Sequence, residues 1–203
     1  MRLSKKGEYA LRSLINLGIA AEMKRSLVQV SELAENEQLP VKFLEQILQV
    51  LRDAGIVESR RGKFGGYRLA RPANKIFIGE IVRLIDGPLA PIGCVSQTAY
   101  EPCTCPDEAH CGLRMLMVDV RNAIADILDR YSLADVVEIT LRKMRRDSVS
   151  LPFAPEVAGD EPRVRLPARA ARRQLARGDR VRSGARTSPS EGVLHQILGE
   201  YSI

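Results

Sequence analysis

Tryptophan is absent from this 203-residue chain, aromatic residues supply only 4% of it, and there are two histidines, His110 and His195. Each shortage removes a class of explanation. No Ser-His arrangement, paired carboxylates or phosphate-cradling glycine loop accompanies those few imidazoles, so the residues are expected to form no enzyme. No stretch approaches the roughly 20 apolar residues that a membrane helix needs. The start does not read as a signal peptide either, because Arg2, Lys5, Lys6, Glu8 and Arg12 interrupt it. A cytoplasmic protein without a membrane partner is expected, and in that compartment thiols stay reduced.

The charge is present but unevenly placed. Residues 1–83 carry 15 Lys and Arg against 9 Asp and Glu, whereas residues 84–141 carry 3 against 9. A basic head beside an acidic middle points to a polyanionic partner for the head. The organising stretch is Cys94 to Tyr131. All four cysteines (Cys94, Cys103, Cys105 and Cys111) fall in its first part, in a loop broken by Pro102 and Pro106. Next come Leu113, Met117, Val120, Ile124, Ile127 and Tyr131, spaced four, three, four, three, four: a heptad seam for packing on another helix. The same apolar spacing also suits intramolecular core, but the head is small and the long helix otherwise lacks a partner.

In the head, Ser4 is placed to cap a first helix and Ser31 a short second one, with Glu32 at its positive end. Pro40 suits the first position of a third helix ending near Ala54, before Gly55. Leu44, Ile47, Leu48 and Leu51 form its inner stripe, leaving Lys42, Glu45, Gln46, Gln49 and Arg52 outside. Two strands follow, Ile56 to Ser59 and Tyr67 to Leu69, joined by a tip of Arg60, Arg61, Gly62, Lys63, Phe64, Gly65 and Gly66. A hairpin after a helix pair is the layout of a winged helix-turn-helix. In that layout Arg60, Arg61, Lys63 and Arg68 serve phosphates or the minor groove, and Gly65 and Gly66 keep the backbone thin against DNA. The outer face of the third helix reads base edges.

The opening Met1 to Ser4, the run Phe43-Leu44-Glu45-Gln46-Ile47-Leu48, the wing Arg61 to Leu69 and the segment Tyr131 to Val137 resemble one bacterial family. It is the winged-helix regulator family that includes IscR, NsrR and RirA, and the resemblance covers about residues 1–146. It implies a homodimer on double-stranded operator DNA, with crossed long helices at the interface. It also implies an iron–sulfur cluster (2Fe–2S or 4Fe–4S) held by Cys94, Cys103 or Cys105, and Cys111. A fourth ligand would come from the fourth thiol or from Glu8, which sits where one form of the family has its carboxylate. Two departures stand out: the gap after Cys94 is longer than the family pattern, and Arg114 occupies the position of the alternative histidine ligand. The residues alone leave three further readings of the thiols. They are a redox switch between, say, Cys94 and Cys105; a zinc site, although Cys103-Thr104-Cys105 is tighter than zinc pairs prefer; and inert packing.

The expected fold is mainly α with a small β-wing: a winged helix-turn-helix head plus a long dimerisation helix. Its boundaries fall at 1–86 for the DNA-binding domain, 87–111 for the cysteine-bearing sensor loop, 112–147 for the dimerisation helices and 148–203 for an Arg/Pro-rich disordered tail. The expected function is that of a homodimeric, sequence-specific transcription regulator acting as a repressor. It would sense iron, redox state or nitric oxide through the loop. A cysteine-based electron carrier or enzyme, and a winged-helix adaptor for protein, are the readings from other classes.

Overall fold

A computed structural model describes residues 2–62 and 64–153, so the expectations for Lys63 and for the arginine-rich run lie outside the described residues. The described chain is mostly helical. Its helices are α1 (Lys5–Glu22), α2 (Val30–Glu37), α3 (Val41–Asp53), α4 (Ile78–Asp86), α5 (Gly112–Arg130) and α6 (Leu133–Arg146). Two antiparallel strands, β1 (Val57–Arg60) and β2 (Gly66–Leu69), lie between α3 and α4 in the register Val57 to Leu69. Mainly α with a small β-wing is what forms.

Local chemistry sets most of the ends. Ser4 caps α1 by accepting from the Gly7 amide at 3.0 Å, and Ser132 and Asp135 form a reciprocal capping box on α6. The start of α2 differs from expectation. Gln29, not Ser31, occupies its N-cap position, and no side chain caps it. The cause is the wing: Val28 exchanges both backbone hydrogen bonds with Tyr67, at 3.0 and 2.8 Å, and so joins the hairpin as a third, one-residue strand. The chain is therefore held extended up to Gln29, the helix begins at Val30, and Ser31 falls inside it. The hairpin is also longer than expected. Arg60 and Gly66 are paired with each other as strand ends rather than lying in the tip.

The core gathers under α3 and α1. Leu14, Leu33, Leu44, Ile47, Leu48, Leu51, Ile56 and Ile76 are wholly buried. At about 1.5–3 kcal/mol for each large apolar side chain, these dominate the favourable side of folding. Helix α6, grouped by sequence with the dimerisation segment, adds Leu133, Val137 and Leu141 to the same cluster. It crosses α1 closely at Gly18, where a Cβ would come within 2.5 Å of Val137 Cγ2. Backbone pairing locks the approach: the Leu133 amide donates to the Ile76 carbonyl at 2.7 Å and the Ile78 amide to Tyr131 at 3.0 Å.

Two expectations are corrected here. Tyr131 does not continue the seam of α5. It is extended (φ −89°, ψ 122°) and buried, because the cap of α6 must begin at Ser132. The tail does not begin at 148, since Phe153 is 7% exposed and belongs to the core cluster.

Candidate nucleic-acid interface and cysteine loop

Lys42, Glu45, Gln46, Gln49 and Arg52 all lie exposed on α3, opposite its buried leucine stripe. Between the start of α2, the end of α3 and the wing runs a cleft of about 350 Å³. Its polar lining comes from Gln29, Ser31, Arg52, Ser59, Arg60 and Arg61. Gln29, Ser31 and Ser59 escaped sequence reasoning, because their roles depend on where Val28 pins the chain. Arg60 and Arg61 have no anionic partner among the described residues. Arg52 is paired with its neighbour Asp53 at 3.0 Å, and Arg68 with Glu58 across the hairpin. Arg68, like Arg52, thus has an anionic partner, and both members of its pair are about half exposed. The crowding at Gly66 is internal as well: a Cβ there would meet the Val28 carbonyl at 2.5 Å. That glycine is required by the Val28–Tyr67 pairing, whatever lies outside.

The cysteine loop is arranged differently. Cys94 is buried in a short 3-10 turn, Gly93–Val95; Cys103 and Cys111 are half-buried and Cys105 is exposed; all four are free thiols. They form a row of neighbours. Cys94 is hydrogen-bonded to Cys103, Cys103 to Cys105, and Cys105 to Cys111. The Cys105 amide and thiol both donate to Cys103 and hold its pKa below the ordinary thiol value, while Cys105 itself is pushed up to about 12 by those contacts. Burial raises Cys94. Around the thiols, Tyr100 donates to Glu108 at 2.6 Å and Arg114 donates to the other Glu108 oxygen at 3.0 Å. His110 is engaged with Asp107 at 2.7 Å. Glu8 is engaged with Lys5 at 2.7 Å, and that contact holds its carboxyl below the usual range.

Beyond the loop, α5 spans 19 residues and buries none of them. Leu113, Met115, Leu116 and Ile127 are about half exposed or more (57, 55, 56 and 47%). Leu113, Leu116 and Ile127 share one side of the helix, and exposed apolar side chains grouped in this way suit an interaction surface.

A two-helix unit with an exposed polar α3, a paired wing carrying free arginines beside it, and an appended helix with an uncovered apolar face define a winged-helix transcription regulator. Comparison places it more closely. The chain belongs to the Rrf2 family, described as iron-dependent transcriptional regulators, whose family model matches residues 3–139. It is 40% identical over 139 residues to the rrf2-like HTH-type transcriptional regulator of Rhodobacter capsulatus, covering 66% of this chain and 91% of that protein. Among solved structures it is similar to CymR, the global cysteine regulator of B. subtilis (TM-score 0.57, 29% identity, 68% of this chain and 98% of that one). It is also similar to T. potens IscR (TM-score 0.54, 28% identity, 74% and 93%). No helix among the described residues is long and apolar enough to cross a membrane.

An iron–sulfur cluster has the right donors here and the wrong geometry. Thiolates are the soft, anionic ligands such clusters take. Among the described residues, however, no three His, Cys, Asp or Glu side chains converge on a point that would hold a metal ion. The thiols run in a row, and His110 and Glu8 are held by other partners. In this arrangement the residues do not fit a cluster.

Proposed function

We propose that the protein is a homodimeric, sequence-specific repressor whose affinity for operator DNA is set by the oxidation state of its cysteine loop. The observation that carries the sensing half is the row of thiols, with Cys103 of lowered pKa between Cys94 and Cys105. A thiolate is the nucleophile in thiol oxidation, and such sites are low in pKa and next to a resolving thiol. With hydrogen peroxide as oxidant, the Cys103 thiolate attacks one oxygen and displaces hydroxide, leaving a sulfenic acid. The Cys94 thiol then attacks that sulfur, its proton leaves with the hydroxyl as water, and the disulfide closes. Two thiols and one peroxide give one disulfide and two waters. We take Cys94 as the resolving partner, since its thiol touches Cys103 as that of Cys105 also does.

The DNA half rests on α3 and the wing. Gln46, Gln49, Glu45, Lys42 and Arg52 face the major groove, and Arg60 and Arg61 meet phosphates beside the cleft. The exposed seam of α5 joins two copies, so that two heads meet the two halves of a near-palindromic site. Ranked behind this is a cluster-bound state, favoured by the family's iron-dependent description and the likeness to IscR. It requires the row of thiols to fold into a cage.

One experiment tests the main reading. Duplexes selected from a random library with the full-length reduced protein are expected to share a two-fold symmetric motif, and peroxide is expected to weaken binding to them. Cys103→Ser is expected to abolish that response. A monomeric protein indifferent to DNA at low salt, or one whose affinity ignores peroxide, overturns it; visible cluster absorption after anaerobic purification promotes the second reading.

A further inference from the structure

No residue of α5 is fully buried, although Met117, Val118, Ile124 and Leu128 are partly so, and polar bonds add to what holds it. Three polar side chains of α5 make those bonds. Arg114 donates to Glu108 at 3.0 Å, Arg121 Nη1 donates to the Val95 carbonyl at 2.6 Å, and Asp129 receives two bonds of 2.6 Å from Arg83 of α4. Positions 114, 121 and 129 are seven and eight apart. At about 100° per residue they fall within about 80° of one another, on a different side of the helix from the apolar seam. The first two grip the cysteine loop and the third grips the head. The helix is thus strapped between the two.

The middle strap is the informative one. Val95 is the residue after Cys94 and is 2% exposed, so the turn carrying Cys94 cannot move without carrying the Val95 carbonyl with it. Arg121 is braced by two further bonds to Asn122 Oδ1, at 3.1 and 2.6 Å, so its guanidinium is aimed before it meets the carbonyl. Beside this contact lies a cavity of about 220 Å³, lined by Ser96, Thr98, Arg121, Asn122, Arg83 and Asp129. A directed bond from Arg121 thus joins the helix to the turn beside that cavity.

We infer that Arg121 is the positioning residue through which the Cys94 turn sets the placement of α5 against the head, and hence the spacing of the two DNA-reading faces. This rests on the cysteine loop being the sensor. Drawing Cys94 toward Cys103 shifts the Val95 carbonyl, Arg121 follows it, and Asp129 passes the displacement to α4 through Arg83.

The measured quantity is the ratio of operator affinities, reduced over peroxide-treated, for the full chain, read beside its melting temperature. Arg121→Gln is expected to bind operator within about threefold of the unsubstituted protein when reduced and to melt at a similar temperature, while its ratio falls toward one. Arg121→Lys, whose ammonium can still donate to the carbonyl, is expected to restore part of the ratio. An unchanged ratio in Arg121→Gln overturns the inference. A ratio of one in the unsubstituted protein overturns the sensor reading beneath it, and this inference with it. Should Arg121→Gln fail to fold, Asp129→Asn cuts the same helix from Arg83 at an exposed position; an unsubstituted ratio there overturns the inference equally.

Discussion

Helices α3 and α5 both carry leucines and isoleucines at helical spacing, yet α3 buries Leu44, Ile47, Leu48 and Leu51 completely while no residue of α5 is fully buried. The sequence pattern is alike; the surroundings differ. Helix α3 is enclosed by α1, α2 and the wing, so its stripe closes a core within one chain. Helix α5 packs mainly against α4 and the Cys94 turn, and much of its stripe, Leu113, Leu116 and Ile127 included, is exposed. An apolar stripe states that a partner is needed, and only the fold says whether the same chain provides it.

The contrast breaks most sharply at Leu48. Leu48→Ala removes a wholly buried side chain, and the expected cost is about 2–5 kcal/mol of stability, measured by denaturant unfolding followed by circular dichroism. At Ile127, 47% exposed, the substitution Ile127→Asp is expected to leave the fold of each chain in place and to separate the proposed dimer. Sedimentation should then give a monomer, and operator affinity should fall by about 100-fold, roughly 2.7 kcal/mol by the usual conversion. If Ile127→Asp instead unfolds the protein as Leu48→Ala does, the two stripes are not different in kind.

Much of the head was legible because local rules and global packing agree there. The stripe of α3, the Ser4 cap and the Gly55 stop each follow from residue type and spacing alone. Elsewhere one long-range contact overrode a local preference. Ser31 is a good cap residue, but the pairing of Val28 with Tyr67 had already fixed where the helix begins. Tyr131 fits the heptad, but with the capping box starting at Ser132 the helix ends at Arg130, one residue before it. The cysteine loop was legible as chemistry and not as geometry. Four thiols in one loop suggest redox or metal chemistry, whereas which thiol touches which depends on the turn at Gly93–Val95 and on the straps from Glu108 and Val95 to α5. For the same reason Arg114 and Arg121 went unremarked as anchors: an arginine on an exposed helix has nothing in its spacing to say what it will hold.

The smallest expected effects separate two arginines of the wing that look equivalent in sequence. Arg61 has no described anionic partner and lines the cleft beside α2, whereas Arg68 already answers Glu58 across the hairpin. A phosphate contact by Arg61 releases about one condensed counterion, so Arg61→Gln is expected to weaken binding to every duplex by about tenfold and to flatten the slope of log affinity against log salt by roughly 0.9. Arg68→Gln is expected to move affinity by less than about twofold, with the slope unchanged, because the charge it removes is already balanced by Glu58. Both Arg68 and Glu58 are about half exposed, and an exposed pair of that kind is worth only about 0–1 kcal/mol. DNA could therefore take Arg68 away from Glu58 at little cost. Equal losses and equal slopes for the two variants would mean that it does, and that the ion pair belongs to the free protein alone.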